Sequence, residues 1–168
     1  MSLNENSCFK TDGNKPERIA SFSVNHNKLK KGMYISRTDG DIVTYDIRMK
    51  RPNGGDYLPY AGIHTLEHLL ATYARNSEIK NSVIYVGPMG CRTGFYILLR
   101  DTVGKDEAID FVKSAFCYIS TFDGEIPGAT KKECGNYMEH NLDDAKQVAK
   151  DMLVVLQNWT KDRLVYEE

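Results

Sequence analysis

The order of elements predicts an α+β domain, because strands come as neighbours joined by tight turns while amphipathic helices follow in their own stretches. Three observations carry this. Apolar and polar residues alternate strictly from Ile42 to Met49 after a turn through Asp39-Gly40, a second pair of apolar runs flanks a glycine-rich turn, and helical periodicity marks residues 60–76 and 106–120.

Residues 1–18 are rich in Asn, Lys, Ser and Gly without periodicity, so they read as a flexible N-terminal extension, and order is expected from Ile19. The first hairpin runs from Met33 to Met49 and sets Val43, Tyr45 and Ile47 on one face, Thr44, Asp46 and Arg48 on the other. An exposed strand arginine is the plain reading of Arg48; contact with a substrate hydroxyl or carboxylate is the functional one. Asn53-Gly54-Gly55-Asp56 breaks the chain before the helix over 60–76. Strands over 82–86 and 95–99 flank Gly87-Pro88-Met89-Gly90-Cys91-Arg92-Thr93-Gly94, which leaves Cys91 where two strands meet. A helix follows over 106–120, with Cys117 read as a small packed core residue. Thr130-Lys131-Lys132-Glu133 has the form of a capping box and predicts a helix with Cys134 in its first turn. A last helix is expected over 143–159. Residues 19–168 thus form a single domain, and 168 residues with 41% hydrophobic content suffice for one core.

The charge balance, 22 basic against 23 acidic residues, gives no reason to expect nucleic acid or a membrane surface as partner. No apolar run resembles a signal peptide or approaches the ~20 residues of a membrane span, so a cytoplasmic protein is expected. In that compartment the four cysteines stay reduced and are candidate ligands or catalysts before they are disulfides.

His64-Thr65-Leu66-Glu67-His68 is the chemical centre of the sequence. Positions i and i+4 share one helix face, so two imidazoles can hold one ion with the Glu67 carboxylate at its edge. Ile63, Leu66, Leu69, Leu70, Tyr73 and Ala74 lie on the other side, so the metal face is not the core face and needs another segment or another subunit to cover it. Cys134 is the natural third ligand, since a thiolate with two neutral imidazoles suits zinc or iron(II) and leaves a position open for catalysis. Glu67 and Cys91 are then a carboxylate and a thiol able to move protons along a carbon chain next to a polarised carbonyl.

Several strings occur in one order: Ser21-Phe22 with His26-Asn27; Asp46-Ile47-Arg48; His64-Thr65-Leu66-Glu67-His68-Leu69-Leu70; Pro88-Met89-Gly90-Cys91-Arg92-Thr93-Gly94-Phe95-Tyr96; and Glu133-Cys134-Gly135. Together they closely resemble the S-ribosylhomocysteine lyase family, the autoinducer-2 synthases (LuxS). The resemblance implies a bacterial enzyme of quorum sensing and the activated methyl cycle that cleaves S-ribosylhomocysteine to homocysteine and 4,5-dihydroxy-2,3-pentanedione, the autoinducer-2 precursor. It implies a two-layer sandwich of an antiparallel sheet packed against helices, a LuxS/metallopeptidase-like fold. One divalent metal per chain is implied, iron(II) with zinc or cobalt as substitutes, held by His64, His68 and Cys134, with no organic cofactor. Glu67 and Cys91 take the acid-base roles, and Ser21, His26 and Arg48 match positions that contact the sugar. A homodimer with active sites at the interface is implied as well. The leader before Ser21 is longer than the family usually carries, and the segment from Lys28 to Ser36 is more basic.

Two other readings compete. A His-x-x-Glu-His metallopeptidase would use a downstream carboxylate, Glu139, as third ligand, but leaves Cys91, Cys134 and Arg48 without roles. A non-catalytic metal-stabilised module would require a closed site of four ligands, of which the motifs supply three.

Overall fold

The computed structural model describes residues 19–167, the side chains of Ala20 and Ser21 excepted; the expected flexible leader lies outside the described residues. Strand β1 (Gly32–Asp39) turns at Gly40, whose φ of 60° is the left-handed conformation a tight hairpin requires, and returns as β2 (Ile42–Arg48). Met33 pairs with Ile47 and Ile35 with Tyr45, and the register shifts between Ile35 and Arg37. Strand β3 (Val83–Pro88) pairs with β4 (Gly94–Arg100), which in turn lies along the free edge of β2. The result is a four-stranded antiparallel sheet in the order β1-β2-β4-β3. Gly94 sits opposite Arg48, where a Cβ would run into the Ile47 carbonyl oxygen; glycine lets the two strands close at that point.

The helices form the second layer. Apart from the short α1 (Ala20–Ser23), they are α2 (Tyr60–Asn76), α3 (Lys105–Thr121) and α4 (Leu142–Leu156). Each buries one apolar stripe: Ile63, Leu66, Leu69 and Leu70 from α2, Val112, Phe116 and Ile119 from α3, Val148, Met152 and Leu156 from α4. These meet Tyr45, Ile47, Phe95, Ile97 and Leu99 of the sheet in one core. Each such side chain taken fully from water stabilises the fold by about 1.5 to 3 kcal/mol. The two-layer α+β sandwich expected of the sequence is the architecture found, and no described helix is long and apolar enough to cross a membrane.

Three expectations are corrected. No helix starts at Thr130. The Thr130 hydroxyl bonds the Glu133 carboxylate at 2.6 Å, the Glu133 and Cys134 amides both donate to the Thr130 carbonyl, and the chain continues as turns. One turn forms and stops because the following residues, Gly135 to Glu139, are exposed and have no apolar stripe to bury. Cys117 is exposed rather than packed, because Val112, Phe116 and Ile119 define a stripe on the other side of α3. The last helix ends at Leu156, and Trp159 lies beyond it, donating its indole N–H to the Met33 carbonyl at 3.0 Å.

Candidate active site

Helix α2 carries His64 and His68 on its half-buried side, as the helical spacing requires. The segment between α3 and α4 covers that side, so the first of the two coverings the sequence allowed, another segment of the same chain, is present. It brings the Cys134 sulfur to 3.3 Å from His64 Nε2 and adds His140, stacked on His64 with ring centroids 4.1 Å apart. One donor atom from each of His64, His68, Cys134 and His140 lies within 4.8 Å of the others.

Hydrogen bonds fix what these donors are. His64 Nδ1 lies 2.9 Å from the Glu139 carbonyl and His68 Nδ1 lies 2.7 Å from the Pro127 carbonyl. A carbonyl only accepts, so both Nδ1 atoms carry a proton, and the tautomer available for coordination presents its lone pair on Nε2. The Thr65 hydroxyl donates to the Ala61 carbonyl at 2.9 Å and accepts the Asn141 amide at 2.9 Å, so His140 Nδ1, at 3.2 Å, donates to it. His140 Nε2 is left buried and without a hydrogen-bond partner. Burial first, then the neighbouring His64 and His68, hold the His140 imidazole below its ordinary pKa and so neutral. Imidazoles whose Nε2 atoms face one another beside a thiol form a donor set that fits a divalent ion, and the orphaned nitrogen is the kind of atom such an ion satisfies.

His140 escaped the motif reading because it stands far along the chain from the pentad. The signal was available in its scarcity: the chain has four histidines, and three of them meet here. Glu67 is half-buried on α2, one position before His68. Glu139, the carboxylate a peptidase site would need, bonds its side chain to Asn136 and offers the histidines only its backbone carbonyl.

A second group of polar side chains forms on β2 and the turn after β3. Arg48 is not the exposed strand arginine of the plain reading: it is 3% exposed, and its Nε and Nη2 grip Asp46, itself 1% exposed, at 3.1 and 2.5 Å. Burial works against the guanidinium charge, and the Asp46 carboxylate outweighs it, so the Arg48 pKa is raised. Arg48 Nη1 donates to the Thr93 hydroxyl at 2.5 Å, and that hydroxyl lies 3.0 Å from the Cys91 sulfur. Cys91 is exposed at the tip of its turn. Arg92 beside it holds a left-handed φ of 56°, fastened by its guanidinium 4.2 Å over the Tyr60 ring and by the Leu58 amide on its carbonyl at 2.9 Å. His26 lines a small cavity with Arg48, Tyr96 and Tyr166, its Nδ1 2.9 Å from the Val24 carbonyl. Ser21 belongs to α1, and its side chain lies outside the described set.

The fold therefore gathers His64, His68 and Cys134 into one group, and Arg48, Cys91 and His26 into the neighbourhood of another. Residues 19–163 match the S-ribosylhomocysteinase (LuxS) family. The chain belongs to that family. An S-ribosylhomocysteine lyase of Finegoldia magna is 44% identical over 155 residues, which cover 90% of this chain and 99% of that protein. One from Clostridium acetobutylicum is 43% identical over 157 residues, 90% and 99% of the two chains, and one from Phocaeicola vulgatus is 44% identical over 154 residues, 88% and 96%. The family match spans both polar groups, from the segment before β1 to the end of the helical layer.

Proposed function

We infer that this chain is an S-ribosylhomocysteine lyase, a carbon–sulfur lyase releasing homocysteine and 4,5-dihydroxy-2,3-pentanedione. The observation that carries the reading is the family match over residues 19–163 together with the donor group it encloses. Residues 19–168 act as one catalytic domain. His64, His68 and Cys134 are the ligands, with iron(II) as the ion and zinc or cobalt as substitutes; the two carbonyls that hold the Nδ1 atoms, and so turn the Nε2 atoms toward the Cys134 sulfur, support this set. A bound ion supplies Lewis acidity toward the sugar carbonyl, which acidifies the adjacent C–H.

The chain's own residues do the rest. The Glu67 carboxylate and the Cys91 sulfur take protons from one carbon and return them to its neighbour, moving the carbonyl along the sugar from C1 to C3. A proton then leaves C4, the C4–C5 double bond forms, the C5–S bond breaks, homocysteine departs as a thiolate that is protonated in turn, and the remaining enol gains a proton at C5 as its C4 hydroxyl loses one, giving the pentanedione. Ser21, His26 and Arg48 hold the sugar. The chain works as a homodimer with its sites at the interface. What supports this is the resemblance of the ordered motifs, from Ser21 to Gly135, to a family of homodimers. The product serves autoinducer synthesis and the reaction belongs to a cytoplasmic methyl cycle.

The test is release of free thiol from S-ribosylhomocysteine by the iron(II)- or cobalt-loaded protein under anaerobic conditions, which protect a ferrous thiolate site and the Cys91 thiol from oxidation. Thiol release supports the reading. A protein that released none while cleaving a peptide would overturn it.

A further inference from the structure

Tyr166 lies beyond the residues that match the family, on a C-terminal segment seated against the start of β1. The Leu164 carbonyl accepts the Ile35 amide at 2.8 Å, the Tyr166 ring stacks on Tyr34 at 5.0 Å between centroids, and Glu167 pairs with Lys30 at 2.6 Å. This seat delivers the Tyr166 hydroxyl to 2.9 Å from Asp46 Oδ2.

We propose that Tyr166 is a positioning residue for Cys91, acting through Asp46, Arg48 and Thr93. The inference rests on the reading of Cys91 as a proton carrier. Every bond from Tyr166 to Thr93 has a forced direction. A carboxylate only accepts, so the Tyr166 hydroxyl and both Arg48 nitrogens donate to Asp46. A guanidinium only donates, so the Thr93 hydroxyl accepts from Arg48, which leaves its own hydrogen available to the sulfur at 3.0 Å; a Cys91 thiolate, which only accepts, takes that hydrogen. Burial first, and then the Asp46 charge, push the Tyr166 phenol above its ordinary pKa, so it remains a donor at any working pH. The cavity that Tyr166 shares with His26, Ser36 and Tyr96 has about 10 Å³ of free space, room for a single water, so the buried carboxylate depends on the protein for its partners. Without the phenol hydroxyl, Asp46 Oδ2 keeps only Arg48, the guanidinium settles toward the carboxylate, and Thr93 loses the contact that aims it.

Alkylation of the thiols by iodoacetamide, followed by peptide mass mapping, tests this, with exposed Cys117 as reference in the same chain. Tyr166→Phe keeps the ring on Tyr34 and deletes the bond to Asp46 together with the hydroxyl's contact to Ser36, so the Cys91 rate is expected to fall by about threefold to tenfold relative to Cys117, with kcat for thiol release falling alike and KM unchanged. Thr93→Val should lower the Cys91 rate at least as far, and Thr93→Ser should restore it. An unchanged Cys91 rate in Tyr166→Phe beside a lowered one in Thr93→Val would remove Tyr166 from the chain and overturn the proposal; unchanged rates in both would overturn the whole chain. The alkylation readout needs no substrate, so a protein that lacked lyase activity yet showed the shift would sink the functional reading and leave this one standing.

Discussion

The Thr65 hydroxyl and His140 Nδ1 stand 3.2 Å apart, and because the hydroxyl proton is already committed to the Ala61 carbonyl, the imidazole is the donor. A core-facing residue of α2 thereby sets the tautomer of a histidine on the covering segment. Thr65→Val keeps the shape and removes the oxygen, leaving His140 Nδ1 unpaired and the Asn141 amide with only its 3.3 Å bond to the Ala61 carbonyl. The expected result is a loss of metal affinity of about tenfold to a hundredfold, read by competition with a chelator. Wild-type affinity would mean His140 has no part in the site.

Metal content separates the ligands from their neighbours. Cys134→Ala should lose the ion during purification, whereas Glu139→Ala should retain it, because Glu139 serves His64 through its backbone carbonyl. Elemental analysis decides; the opposite pattern would favour a carboxylate ligand.

Glu67→Gln and Cys91→Ala should both retain the metal and lose turnover by about 100-fold to 10,000-fold, the usual contribution of an acid-base group. Homocysteine release by Cys91→Ala at the wild-type rate would remove the sulfur from the relay while leaving the family assignment intact.

Asp46→Ala strands the Arg48 guanidinium in a site where it is 3% exposed, and the expected loss is about 3 to 5 kcal/mol in urea unfolding. The double change Asp46→Leu with Arg48→Met removes both charges and should recover most of it.

Alkaline pH should destabilise the fold. Burial, the first cause in each case, raises the pKa of Tyr34, Tyr45, Tyr96 and Tyr166. The folded chain therefore keeps protons that the unfolded chain releases as pH passes about 10, so this stabilisation is complete below that pH and is lost as pH rises further. A melting midpoint that stayed level up to about pH 11 would contradict the burial of these phenols.

The sheet, the bounds of α2 and the pentad were readable because periodicity reports which side of an element is buried. Thr44, Asp46 and Arg48 were read correctly as one polar face, yet their burial was not, since what lies against Asp46 and Arg48, Tyr166 and the segment around His26, comes from opposite ends of the chain. Thr130 to Glu133 misled for a related reason. A capping box describes only the first turn, and whether a helix continues depends on an apolar stripe that Gly135 to Glu139 lack. His140 was hidden because its partners are set by the path of a loop, on which no local pattern reports.

His64 and His68 are oriented by the carbonyls of Glu139 and Pro127, groups every residue possesses. No side-chain replacement at position 139 or 127 deletes such an acceptor, so related chains can drift there in chemistry while the imidazoles stay aimed. Vulnerability moves instead to the path of the backbone, above all to Gly128, whose φ of 71° and closeness to the His68 ring admit little else. A bend in this loop would misaim the imidazoles sooner than a change of polarity along it.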